Sequence, residues 1–225
     1  MKKNYIKILL LLLALFGIFK IIGFTGFLKG YNNASTANEP NLKLNTGMIV
    51  SNLVKPKNGD FICYNYTNEI FGGIRVHRLM GIENDTIEIR LGQMFINNKN
   101  VDQNLNLIHM YSVDSLKFKS LKNVGYITDN MIGSYISPNK YILGIEDKVA
   151  KEFNLTDFRI MDSLGVGSEF IHKEFNKDWN KDNFGKLIIP KDKYFVIGDN
   201  RDNSEDSRYI GLIDKKDFVG VVIKH

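Results

Sequence analysis

The chain has 225 residues, with 30 Lys or Arg against 25 Asp or Glu. Residues 1–29 hold five of the basic residues and no acidic one, so residues 30–225 carry 25 of each. Because a nucleic-acid-binding domain needs a basic excess on its own surface, that class is excluded. The single cysteine, Cys63, excludes an internal disulfide framework and a cysteine-based zinc site, and we expect no metal and no cofactor.

Residues 1–29 are typical of a membrane anchor. Ile8 to Leu28 is an apolar stretch whose only charge is Lys20, and at about 1.5 Å per residue it is about as long as a bilayer core is thick. The early lysines predict a cytoplasmic N-terminus and a main domain outside the cell, in contact with membrane lipid. The alternative is a removed signal peptide, because the small residues Ser35 and Ala37 resemble a cleavage site. We favour the uncleaved anchor.

After the anchor, the pattern is mainly β, because short apolar or alternating runs are separated by turn residues. Thr86–Arg90 and Met94–Asn97 flank a glycine and predict a hairpin. The other predicted strands are Met48–Leu53, Phe61–Tyr66, Ile74–Met80, Tyr194–Ile197 and Phe218–Ile223.

The middle of the chain, residues 98–186, is rich in Asn, Lys and Asp and has weaker periodicity. We interpret it as an α+β region inserted into a β core, which residues 30–97 and 187–225 form together. Two short helices are predicted within it, at Val113–Leu121 and Glu146–Phe153. The segment Lys173–Lys186 is interpreted as a polar surface loop around Trp179.

The segment Gly198–Arg208 is the most specific pattern in the sequence. It follows an apolar strand, and every position after Gly198 is polar or charged. A solvated turn has a similar composition, but a simple hairpin needs only about two to five residues, and longer loops are often functional. The two arginines among four acids favour an internal network of ion pairs.

With Tyr209 and Gly211 after it, this segment resembles the signature of type I signal peptidases, GDNRDNSxDSRxxG, and all eleven fixed letters match in order. Weaker similarities to the same family occur at Glu39–Leu42, Gly59–Tyr64 and Arg75–Gly81, whereas residues 98–186 are not covered. The resemblance implies an antiparallel β-sheet core with one N-terminal transmembrane helix. It also implies a membrane-bound serine endopeptidase that removes signal peptides from secretory preproteins at the outer face, with small side chains before the cut.

The resemblance places His77 where the family has the lysine that acts as general base. A lysine must be desolvated to lose its proton near neutral pH. Histidine has an ordinary pKa of about 6.5 and is a competent base without desolvation. Histidine at this position also resembles the endoplasmic-reticulum and archaeal branch of the family. The alternative is that His77 is a strand histidine in a polar pocket, and we favour the base.

A second departure concerns the nucleophile. Alignment on Pro40 puts Ala37 at the family's nucleophilic serine, and alanine has no hydroxyl with which to attack a carbonyl. Ser35 matches the serine that helps to form the oxyanion hole in the family. One explanation for Ala37 is that Ser35 or Thr36 serves as a substitute nucleophile after a local shift of the loop. The remaining explanations are a serine altered to alanine, or an inactive homologue that still binds signal sequences or acts as a scaffold.

Three residues of the signature segment match positions that support the base and hold the loop in the family. They are Ser204, Asp206 and Arg208. A purely structural role in shaping the turn is the alternative for all three. The sequence therefore predicts an anchored signal-peptidase-like protein whose activity is in doubt because of Ala37.

Overall fold

The computed structural model describes residues 2–25, 27–67, 72–127, 135–137 and 139–225, and within them the chain is mainly β, as the sequence predicts. The helices are α1 (Lys2–Thr25), α2 (Ser115–Asn123), α3 (Asp147–Glu152), α4 (Glu169–Phe175) and α5 (Ser207–Ile210). The strands are β1 (Lys29–Asn32), β2 (Gly47–Ser51), β3 (Phe61–Thr67), β4 (Gly72–Gly81), β5 (Thr86–Arg90), β6 (Gln93–Ile96), β7 (Lys99–Asn100), β8 (Ile108–Asp114), β9 (Tyr135–Ser137), β10 (Lys140–Glu146), β11 (Phe184–Ile188), β12 (Lys193–Ile197), β13 (Ile213–Asp214) and β14 (Phe218–Lys224).

Helix α1 occupies the region predicted as a membrane anchor. Its apolar side chains between Tyr5 and Phe16 are exposed, and Lys20 interrupts its apolar run. Among the residues that the structure describes, no helix combines the length and the apolar character that crossing a membrane requires. The predicted transmembrane helix is therefore not confirmed.

The largest sheet has seven strands in the order β1-β2-β14-β3-β4-β12-β13, with antiparallel pairing throughout. Strand β3 pairs with β4 from Gly72 to Arg78, but β12 pairs with β4 only from Arg78 to Gly81. No described strand therefore covers the second edge of β4 before Arg78. Buried apolar side chains on the central strands, including Ile62, Leu79 and Val196, form the core of this sheet.

The second sheet, in the order β11-β5-β6-β7, contains the predicted hairpin, with Ile89 of β5 opposite Met94 of β6. The apolar residues that alternate along β5 and β6 are buried against Phe195 and Ile197 of the large sheet. Alternation on these strands thus reflects one face packed on the core, which confirms the hairpin prediction.

The third sheet, in the order β8-β10-β9, packs with helices α2 and α3 around its own apolar cluster. Helix α3 confirms the helix predicted at Glu146–Phe153. The helix predicted at Val113–Leu121 begins later, because β8 continues through Asp114. The Asp114 carboxylate accepts a hydrogen bond from the backbone N–H of Lys117 at 2.8 Å and so caps the first turn of α2.

The prediction of a surface loop at Lys173–Lys186 is wrong at both ends. Helix α4 continues to Phe175, and β11 begins at Phe184. Between them, Trp179 packs its ring 4.7 Å from that of Phe184 and 5.8 Å from that of Phe175, measured between centroids. The three aromatic side chains bury one another although their neighbours in sequence are polar, and local composition does not reveal such a cluster.

Candidate active site

The segment Gly198–Arg208 folds around a buried ion pair. The Arg208 guanidinium donates to both carboxylate oxygens of Asp206 at 2.9 Å, and a third bond runs from Arg208 to the carbonyl of Arg201 at 2.7 Å. The Asp206 carboxylate also accepts from the backbone N–H of Gly198 at 3.0 Å. Burial acts to raise the pKa of Asp206, but the Arg208 charge and the hydrogen bonds from Arg208 and Gly198 together outweigh it and lower that pKa below its ordinary value.

Asp199 ties the same segment to strand β4. Its carboxylate accepts from the Arg78 guanidinium at 2.7 and 2.5 Å and from the side-chain amide of Asn41 at 2.8 Å. Asp199 is fully buried, and the three donors satisfy most of its acceptor capacity. The Asp199 carboxylate therefore connects the segment after β12 with Arg78, which follows His77, and with Asn41, which lies four residues after Ala37.

The two asparagines of the signature hold the segment that contains Ala37. The backbone N–H of Asn200 donates to the Ala37 carbonyl at 3.0 Å, and its side chain donates to the Thr36 carbonyl at 3.2 Å. The Asn203 amide donates to the Thr36 hydroxyl at 3.0 Å. A Cβ atom at Gly198 would overlap the Ala37 carbonyl oxygen, so this approach requires glycine.

The region predicted as an insertion also braces the signature segment. The backbone of Ile108 exchanges hydrogen bonds with Asp199 and Arg201 at 3.0 and 2.9 Å, and the N–H of Met110 donates to the Asp202 carboxylate at 2.8 Å. These bonds start at the first residues of β8. The third sheet is thus attached to the loop that holds Ala37.

His77 lies on β4 opposite Ile62 of β3, and only 4% of its surface is exposed. Its Nδ1 is 2.8 Å from the hydroxyl oxygen of Tyr64. Burial lowers the pKa of His77 to about 4, although the nearby Asp206 carboxylate acts in the opposite direction. The imidazole is therefore neutral at pH 7.

A groove of about 340 Å³ passes over this histidine. Its walls come from 31–35 and from 74–77 on β4, and Met48 and Cys63 also line it. Ser35 and His77, which are 42 positions apart in the chain, face the same groove. Ala37 is buried, and its backbone N–H donates to the Ser35 hydroxyl at 3.1 Å.

The remaining predicted site residues lie in the segment Gly198–Arg208. Arg208 pairs with Asp206 as described above, and neither forms a hydrogen bond with His77 within the described chain. The hydroxyl of Ser204 is buried and has no hydrogen-bond partner among the described residues. Cys63 is buried, and burial raises the pKa of its thiol to about 12, so the thiol stays protonated.

Sequence reasoning missed Tyr64, the only described residue whose side chain forms a hydrogen bond with His77. Tyr64 lies opposite Arg75 on β4, two residues before His77, so the two rings form a diagonal pair across the strands. Its position in an alternating strand gave no chemical signal, because tyrosine is common in strands. Within the described part of the chain, no group of three or more His, Cys, Asp or Glu side chains could hold a metal ion.

The groove beside His77 offers both a cavity and a strand edge to a bound molecule. Apolar side chains such as Met48 and Val76 line the groove together with charged ones such as Arg75 and Glu205, and the groove borders an edge of β4 that no described strand covers. No described serine or threonine hydroxyl forms a hydrogen bond with His77, and Ala37 supplies none. Nucleophilic catalysis requires a hydroxyl within hydrogen-bond reach of its base.

A protein-family model described as signal peptidase, peptidase S26, matches residues 2–224 of the chain. Signal peptidase I from Buchnera aphidicola subsp. Baizongia pistaciae is 30% identical over 178 residues, which cover 75% of this chain and 54% of that protein. Signal peptidase I from Aquifex aeolicus is 28% identical over 98% of this chain and 82% of that protein.

Signal peptidase I P from Bacillus subtilis subsp. natto is 46% identical over 71 residues, 27% of this chain and 38% of that protein. The chain therefore spans about half or less of the length of the first relatives it matches. The solved structure of a signal peptidase I from Enterococcus faecalis V583 aligns with a TM-score of 0.36 at 20% identity, covering 75% of this chain and 97% of that one.

Proposed function

The chain belongs to the signal peptidase family, peptidase S26, and from this premise we propose that it recognises secretory preproteins through their signal peptides. The family consists in general of serine endopeptidases that process signal peptides, which makes preproteins the natural partners. We place the bound peptide in the groove between 31–35 and 74–77. The proposal concerns recognition first, because recognition does not depend on a nucleophile.

The uncovered edge of β4 is the observation that carries this proposal. Residues 74–77 pair with β3 on one side only, and the groove lies beside them. An extended peptide that pairs with such an edge gains main-chain hydrogen bonds, while its alternate side chains enter pockets. Met48 and Cys63 line the groove, which favours small apolar side chains such as those expected before the cleavage site.

We propose further that the chain binds signal peptides without cleaving them efficiently. The family resemblance puts Ala37 at the nucleophile position, and no serine or threonine hydroxyl of the described chain is hydrogen-bonded to His77. Endopeptidase activity is the second candidate function, favoured by one observation: Ser35 and His77 line the same groove. In that case Ser35 replaces the missing serine after a local shift, and His77 is its base.

A binding assay with a fluorescent signal peptide and the full chain in detergent distinguishes these functions. We expect a peptide with alanine at the first and third positions before the cut to bind. A matched peptide with leucine at both positions should have an affinity at least about tenfold lower. A preprotein incubated with the chain should remain uncleaved. Mature-sized product that disappears in Ser35→Ala would establish the second candidate, and no binding by either peptide would refute both.

We also propose that α1 holds the main domain at the outer face of the membrane, with the N-terminus in the cytoplasm. The exposed apolar side chains of α1 and the lysines in its first two turns support this location. Protease added to intact spheroplasts should digest residues 30–225. Digestion only after lysis would place the domain on the cytoplasmic side.

The division of the main domain is likewise a proposal. We treat residues 98–186 as an insertion between the two parts of the core, 30–97 and 187–225, and assign to it the bracing of the signature segment through Ile108 and Met110. Hydrogen exchange should show that Gly198–Arg208 loses protection when Met110 is replaced by proline, which cannot donate to Asp202. Unchanged protection would argue against this role.

A further inference from the structure

The contact between Tyr64 and His77 has a chemical consequence for the groove. The Tyr64 hydroxyl oxygen is 2.8 Å from Nδ1 of His77, and Tyr64 has no exposed surface. Among the described residues, neither side chain has another hydrogen-bond partner. Only one hydrogen, either that of the phenol or that of the imidazole, can therefore occupy this contact.

A neutral imidazole carries one hydrogen, and a phenol carries one. If the phenol donates to Nδ1, both groups of the contact are satisfied and the imidazole hydrogen lies on Nε2. If Nδ1 donates instead, the phenol hydrogen is left buried without an acceptor, a state that costs about 1–3 kcal/mol in proteins. The first arrangement is the stable one.

We propose that Tyr64 is a positioning residue that holds His77 in the tautomer with its hydrogen on Nε2. His77 then offers the groove a hydrogen-bond donor and not a base. This inference rests on the proposed function of the groove as a peptide site, because the donor's partner is a backbone carbonyl of the bound peptide. It gives His77 a role in binding that needs no nucleophile.

Burial keeps the His77 imidazole neutral, so the ring carries a single hydrogen. With a pKa of about 4, His77 is neutral at pH 7, so its ring has one hydrogen to place. A general base at this site needs a lone pair on Nε2, the nitrogen that Tyr64 does not occupy. In the favoured tautomer that nitrogen carries the hydrogen, so base catalysis must first reverse the contact with Tyr64.

Nitrogen NMR of histidine tests the tautomer directly, without any peptide. The full chain in detergent, labelled with ¹⁵N-histidine at pH 7, should show for His77 a protonated Nε2 and an unprotonated Nδ1, with His77→Gln used to assign the signals. Tyr64→Phe should shift the ring toward a mixture of tautomers. Tyr194→Phe, the same change at another core tyrosine, should leave the pattern unaltered. A hydrogen on Nδ1 in the wild type would overturn the assignment, even if Tyr64→Phe fails to fold.

Cleavage kinetics provide a second readout. Ala37→Ser supplies the missing hydroxyl, and adding Tyr64→Phe frees the tautomer, so the double variant should cut a preprotein about tenfold faster or more than the single one. Equal rates, or no cleavage by either variant while both bind the peptide, would show that the tautomer does not restrain the base. If the wild type does not bind the peptide, the proposed function is refuted. The NMR result does not depend on peptide binding and is unaffected.

Discussion

Two sides of the candidate active site meet at the Ala37 carbonyl and differ in how their polar groups are used. On the side of Gly198–Arg208, the charged groups are buried in pairs, and Asp206 and Asp199 each accept several hydrogen bonds. On the groove side, the Ala37 side chain has no polar group, and the His77 side chain has one hydrogen-bond partner among the described residues, the Tyr64 hydroxyl. One side matches the family signature letter for letter, whereas on the other side we predict departures from the family at Ala37 and His77.

The difference shows that the signature segment can be kept for structural reasons. Removing one partner of a buried ion pair leaves an uncompensated charge, so the segment tolerates little change whether or not the site reacts. A reactive hydroxyl has no such structural role, and alanine replaces it with little strain. A full match to the signature therefore indicates the family and its fold better than it indicates turnover.

The largest expected effect tests the structural side of this comparison. Arg208→Ala should lower the free energy of unfolding by about 3–5 kcal/mol, because Asp206 would be left buried and unpaired. Chemical denaturation measures the change. Arg75→Ala is the matched control, since Arg75 pairs with the exposed Glu205, and it should cost no more than about 1 kcal/mol. Similar losses in the two variants would contradict the contrast between buried and exposed pairs.

The groove side predicts a pH dependence through His77. Its pKa is about 4 in the folded chain, against 6.5 ordinarily, so between these values the unfolded chain binds more protons. Stability should therefore fall as the pH drops from about 6.5 to 4, by about 3 kcal/mol in total.

Urea unfolding at several pH values tests this, with His77→Gln as the variant that cannot take up the proton. The stability of His77→Gln should change less over the same interval. Asp206, whose pKa is lowered, adds a loss at more acidic pH in both proteins, so the comparison is made above pH 4. Parallel curves for the two proteins would rule out a buried neutral His77.

The smallest effect concerns the junction between the two sides. Gly198→Ala should destabilise the chain by about 1–3 kcal/mol, because its Cβ overlaps the Ala37 carbonyl oxygen and forces the segments apart. Gly30→Ala is the control, since nothing lies within 4 Å of a Cβ placed there. Thermal unfolding of both variants measures the difference, and an unperturbed Gly198→Ala would mean that the junction is loosely packed.

Much of the β architecture could be predicted from periodicity, because strands with one buried face alternate in sequence. The hairpin Thr86–Arg90 with Met94–Asn97 is confirmed, and so is helix α3. The prediction failed where a contact with another segment decides the structure: β8 continues through Asp114 because it pairs with β10, and Trp179 joins an aromatic cluster. The roles assigned to Ala37, His77 and Ser35 stay predictions, since geometry shows their positions and not their chemistry.

By itself, the sequence determined the family and the mainly β class and predicted departures at Ala37 and His77, because these depend on the order and identity of residues along the chain. Only the tertiary structure decided which groups meet. It brings Ser35 to the groove of His77, leaves one edge of β4 uncovered beside it, and sets Tyr64 against Nδ1. The physical reason is that a hydrogen-bond partner on a neighbouring strand is fixed by register and packing, which no local pattern records.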